Sequence, residues 1–160
     1  MFMKFLKFTL ATLFIAITLM ACDSKNDDFE EVFSENTIAL QPSQVVPAST
    51  SAGTGSAKLT LNRTTGTLTY VVTYSGLTNN AAAVSITGIA VQGANPTAAP
   101  ITQKLTLTAN KSGTFTGTLI FDGTVFKQED LLNGRLFMQL TTKATSSSPE
   151  VAELRGQLVF

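Results

Sequence analysis

The 160-residue sequence has no histidine, no tryptophan and a single cysteine, Cys22. Each absence removes a class of chemistry. Without imidazole there is no conventional Ser–His or Cys–His pair for nucleophilic catalysis. The usual neutral nitrogen ligand for zinc or copper is missing too. One cysteine cannot form an intrachain disulfide, so the fold rests on its hydrophobic core. Charge is sparse, at 14% of residues, and sums to zero. The lysines and arginines form no run and do not interleave with aromatics, so nucleic-acid binding has no footprint. No glycine-rich loop precedes a helix, and no phosphate-binding loop is indicated.

What is present begins with an address. Lys4 and Lys7 precede a short apolar core from Phe8 to Met20, and Leu19-Met20-Ala21-Cys22 closes it. A charged start, an apolar stretch and a small residue before the cut describe a secretory signal. The core falls short of the roughly 20 residues a membrane-spanning helix needs. The arrangement resembles the bacterial lipobox, whose cysteine accepts a diacylglycerol and becomes the mature N-terminus. Residues 1–21 then form a lipoprotein signal peptide and Cys22 is the lipidation site, acylated with palmitate-type chains. Two chains or more give stable membrane attachment where one does not. A plain cleaved signal with a spare cysteine, or a retained anchor, are the alternatives.

Residues 22–35 read as an acidic flexible tether. The segment holds six acids and one lysine, a net charge of −5, and too few branched apolar residues to offset its ordering entropy. Asp27, Asp28, Glu30 and Glu31 form a cluster. Clustered acids after a lipidated cysteine resemble a surface-export tag, whereas a lone aspartate resembles an inner-membrane retention signal. The cluster favours the outer membrane or cell surface over the inner membrane.

Residues 36–160 carry eight Lys or Arg and five acids, a net of +3. The length suits one domain. Many of the chain's 25 threonines alternate with apolar residues. Leu59 and Leu61 alternate with Lys58, Thr60 and Asn62; Leu68, Tyr70, Val72 and Tyr74 alternate with Thr67, Thr69, Val71 and Thr73. Period two predicts strands with one buried and one Thr-rich face. Arg63–Gly66 between them predicts a tight hairpin loop. Further strands are predicted at Thr37–Leu40, Val84–Val91, Ile101–Leu107, Phe115–Phe121, Leu136–Thr142 and Val151–Val159. One short helix is predicted at Val125–Leu132, with Thr124 as N-cap and Asn133-Gly134 as stop. About eight short strands predict an all-β, antiparallel sandwich or barrel.

Val45-Val46-Pro47, Gly55–Asn62, Gly66–Thr78 with its terminal Gly-Leu-Thr, and the closing Glu153–Leu158 (ELRGQL) form an ordered set. Together these segments resemble the CHRD (chordin-like) domain family in its bacterial lipoprotein form. The resemblance runs over 36–160 and implies an immunoglobulin-like β-sandwich. Many bacterial members carry His-x-His and a further histidine where this chain has Ser85-Ile86-Thr87 and Phe137–Thr142. A threonine hydroxyl replaces imidazole poorly, so no metal and no cofactor is expected. Asp122, Glu129 and Asp130 lack the loop spacing of a calcium site and read as a surface cluster.

Glu153 and Arg155 stand two apart in a predicted strand and so are expected on one face, opposite Leu154, Gly156 and Leu158. They read as a structural ion pair fixing register, or else as a ligand-recognition pair. Tyr70 and Tyr74 read as core residues rather than sugar-stacking ones. The catalytic inventory is thin, and no enzyme is expected. The chain reads as a membrane-anchored, non-catalytic module for extracellular or periplasmic binding or adhesion to a protein or glycan. It would act through the loops 79–83, 92–100 and 143–150. The alternative is a structural cell-envelope component with no specific ligand.

Overall fold

The computed structural model describes residues 32–96, 101–107 and 110–160. The segments expected as signal peptide and tether, with Cys22, lie outside the described residues as far as Glu31. Eight strands form two antiparallel four-stranded sheets. The first sheet holds β1 (Phe33–Leu40), β2 (Thr54–Asn62), β3 (Thr67–Ser75) and β6 (Gly113–Ile120), in the order β1-β2-β3-β6. The second holds β4 (Asn80–Gly88), β5 (Ile101–Thr106), β7 (Phe137–Lys143) and β8 (Val151–Gln157), in the order β5-β4-β7-β8. One five-residue helix, α1 (Gln128–Leu132), lies between β6 and β7.

The alternation read from the sequence is the alternation observed. Leu68, Tyr70, Val72 and Tyr74 are buried, and β2 places Leu61, Leu59 and Ala57 opposite the first three. These side chains share one core with Val84, Ile86, Met138, Leu140 and Leu154 of the second sheet. Two sheets burying a common layer make a β-sandwich. Three sequential strands lie side by side in the first sheet, whereas an immunoglobulin constant-type sheet seats its second strand beside its fifth. The Arg63–Gly66 turn joins β2 to β3 as expected, with Gly66 at φ +62°, a conformation that costs glycine nothing.

Several boundaries differ from the sequence reading; β4 ends at Gly88 rather than Val91 and β8 at Gln157 rather than Val159, and three differences go further. Phe33, Ser34 and Glu35, assigned to the tether, begin β1 and pair with Asn62, Leu61 and Thr60. A paired backbone outweighs their polar composition. Asn79–Ala83, expected as a loop, is mostly strand: β4 starts at Asn80 and bulges between Ala81 and Ala83. Three consecutive alanines carry no period to reveal it. The helix begins at Gln128 rather than Val125, because Asp122 Oδ1 accepts the backbone N–H groups of Thr124, Val125 and Phe126 and holds them in a turn. The Asn133-Gly134 stop is where it was expected.

Candidate functional site

Along β7, Met138, Leu140 and Thr142 point inward, and Phe137, Gln139 and Thr141 point outward, as the pleat requires. β8 pairs with it regularly from Gln157 to Leu154, and then the register shifts between Leu140 and Thr141. Glu153 is the extra residue. A bulge inserts one position and reverses the facing of the residues beyond it. Glu153 therefore reaches Thr142 on the inner row, while Arg155 lies over Phe137 on the outer row. The expected ion pair is not formed. The reason is the bulge, which places the two charges on opposite sides of one strand.

Each charge has its own partners. Glu153 is 3% exposed. Its Oε1 accepts from Ser51 Oγ and from the Thr78 backbone N–H, both at 2.5 Å, and its Oε2 accepts from Thr142 Oγ1 at 2.8 Å. Burial pushes this carboxyl upward, but the donors Ser51, Thr78 and Thr142 together outweigh it and hold the group below the usual carboxylate range. Ser51 Oγ in turn accepts the Gly53 N–H at 2.9 Å. A carboxylate so held is a weak base, so the Ser51–Glu153 contact is poorly suited to activating a nucleophile.

Arg155 is 1% exposed, and burial lowers the pKa of its guanidinium. It sits 3.6 Å from the centre of the Phe137 ring, a cation–π contact. Its Nη2 donates to Ala94 O at 2.6 Å and its Nη1 to Asn95 Oδ1 at 3.3 Å. Asn95 Nδ2 passes the connection on to Val46 O. The backbone of Arg155 also exchanges two hydrogen bonds with Gln41 (2.8 and 3.1 Å). The closing strand thus ties three segments: the Ser51 loop and the β3–β4 turn through Glu153, and the Ala94–Asn95 loop through Arg155.

The positions where the resemblance places histidines come together, because Ser85 pairs with Gln139 and Thr87 with Phe137. They carry hydroxyls and an amide. Thr87 Oγ1 accepts from Thr102, and Thr141 Oγ1 donates to Glu150. Glu150 is itself bound by Lys104 at 2.7 Å and Lys143 at 3.4 Å, and the Lys104 hydrogen bond is the main cause of its lowered pKa. This donor set does not fit a zinc or copper ion. Glu150 lies with the outward row and Glu153 with the inward one, so they form no carboxylate pair. Asp130 pairs with Arg135 at 3.1 Å, and Asp122 is committed to its turn. Tyr70 and Tyr74 are buried, as expected, and both approach Phe115.

Sequence reasoning singled out Glu153 and Arg155 and missed every partner. Ser51, Thr78, Asn95 and Phe137 come from four distant segments, and no spacing links them. Of the predicted loops, the described part of 92–100 carries the Arg155 contacts, and 144–150 carries Glu150.

The family model for the CHRD domain matches residues 37–158. No curated protein matches the chain, and no solved structure does.

Proposed function

We propose that this chain, which belongs to the CHRD-domain family, is a non-catalytic binding module carried on a lipid-anchored envelope protein. The observation that carries the reading is the use made of Glu153 and Arg155. Both buried charges are spent on holding loops to a rigid sandwich, and loops so held are where binding residues usually lie. Exposed apolar residues stand beside those loops: Ile89 and Val91 before Gln92, and Val151 after Glu150.

Anchoring rests on the Leu19–Cys22 motif and the short apolar leader. The diacylated Cys22 holds the chain at a membrane, and the acidic cluster directs it to the outer membrane or cell surface. A structural envelope component with no ligand is the competing reading. Two measurements on the full chain test the proposal. Mass spectrometry of the membrane form is expected to find a lipid mass on Cys22 and no peptide spanning Ala21–Cys22, and Cys22→Ser to leave the membrane fraction. Labelled chain is expected to bind isolated envelopes saturably. An intact leader overturns the anchor, and non-saturable envelope binding overturns the module in favour of the structural component.

A further inference from the structure

Exposed apolar side chains are not spread evenly over this domain. Val32 and Phe33 open β1, Ile120 closes β6, Val125 precedes α1, Leu132 ends it, and Val159 follows β8. Each is at least 42% exposed. The topology brings all six to one end of the sandwich. Phe33, Asn62, Thr67 and Ile120 are successive partners in the last row of the first sheet. The turn after Asn62 is tied to Val32, whose O accepts the Arg63 N–H at 2.7 Å, and to Phe121, whose N–H donates to Gly66 O at 2.8 Å. A Cβ on Gly66 would stand 3.8 Å from Gln128 Oε1 of α1, and one on Gly134, just past α1, 3.4 Å from Val159 Cγ1. Across the seam between β1 and β8, Val159 O accepts from Asn36 Nδ2 at 3.0 Å and closes the circuit.

Ile89 and Val91 adjoin this end through Ala90, whose N–H donates to Arg135 O at 2.9 Å. The other exposed large apolar residues among those described are Val71 and Leu105, within strands, and Val151, at the opposite end. Single apolar residues on a surface are ordinary, whereas a gathered set marks a surface that something covers. Charge does not select the cover. Arg63, Lys127 and Arg135 are matched in number by Asp122, Glu129 and Asp130, and Asp130 is paired with Arg135.

Where the chain enters the domain decides between occupants. Val32 stands ten residues after Cys22, and ten residues span at most about 36 Å. β1 alone runs about 26 Å away from this end. Bringing the opposite end to a membrane that holds Cys22 would use most of that reach in doubling back along the sandwich. Bringing the apolar end there uses almost none. We propose that the end of the sandwich carrying Val32, Phe33, Ile120, Val125, Leu132 and Val159 rests on the bilayer that holds Cys22, with these side chains in the lipid headgroup layer. This docking rests on the lipid anchor read at Cys22 and adds a second contact to it. The loop after β7, with Val151 behind it, then faces away from the lipid.

The test uses the full lipidated chain in vesicles of phosphatidylethanolamine and phosphatidylglycerol. Acylation blocks the native thiol, so Val125→Cys takes a polarity-sensitive fluorophore at one position only, and Val151→Cys serves as its counterpart. Both positions are exposed, so labelling spares the core. The label at 125 is expected to emit at shorter wavelength and to be quenched by headgroup-level nitroxide lipid about twofold more than the label at 151. High salt is expected to leave the difference standing, because apolar contact is not screened. Phe33→Ser with Ile120→Ser is expected to reduce it, in a chain that melts as the parent does. Equal quenching at the two positions, or a difference that salt removes, overturns the docking. A shift at 125 that grows with protein density and is not quenched by nitroxide lipid overturns it in favour of a second copy. Absence of lipid on Cys22 by mass spectrometry removes the anchor and the docking together; lipid on Cys22 with equal quenching removes the docking alone.

Discussion

Glu153 shows how one inserted residue decides what a charge can do. In a regular strand it would share a face with Arg155; in the bulge it turns inward to Ser51, Thr78 and Thr142. Its carboxyl is held below the ordinary value of about 4.3. A depressed carboxylate stabilises the folded chain above the unfolded pKa, and that stability is lost as pH falls through the folded value. Glu153→Gln is therefore expected to cost about 1–3 kcal/mol near neutrality and to flatten the acid limb of stability against pH below about 4.3. Urea melts of both forms across that range check it, and an unchanged acid limb would count against the buried carboxylate. Because Glu153 and Arg155 share no partner, the double-mutant cycle Glu153→Ala/Arg155→Ala is expected to be additive within about 0.5 kcal/mol. A larger coupling would restore the ion pair that the bulge removes.

At the scale of elements, legibility followed periodicity. β2 and β3 were plain in the sequence because their apolar residues recur every second position and the alternate, Thr-rich positions are exposed or half-buried among the described residues. β4 and β8 were blurred because they are buried on both faces, so inward and outward residues are alike hidden. The bulges at Ala81–Ala83 and at Glu153 leave no mark in composition, since register is set by partner strands far along the chain. The residues of the candidate site suffered the same limit: Glu153 and Arg155 stood out in the closing motif, but Asn95 and Ser51 meet them only after folding. Gly156 was legible as part of that motif, and the reason for it is now visible. A Cβ there would lie 2.5 Å from Ala39 O and 2.7 Å from Leu40 Cδ2. Gly156→Ala is expected to push β1 from β8 and cost about 1–3 kcal/mol, as overpacking does. Thermal melts decide it, and an unshifted midpoint would show that the seam yields without cost.

Among the described residues, β8 is the strand that ties both sheets and several loops together. It closes the second sheet, and it meets the first at Gln41, the residue just past β1. It also holds three loops through Glu153 and Arg155. The earlier strands can pair among themselves without it, but the seam and the loops cannot be fastened. Of the eight strands a ribosome delivers this one after the other seven, and contacts between distant parts of a chain form slowly because their closure entropy must be met first. A product cut short before Val151 would expose the open edge of β7 and leave Leu40 uncovered, a substrate for proteases rather than a finished domain. β8 thus acts as a proofreader of the sandwich: a copy that stops before it cannot fasten itself shut.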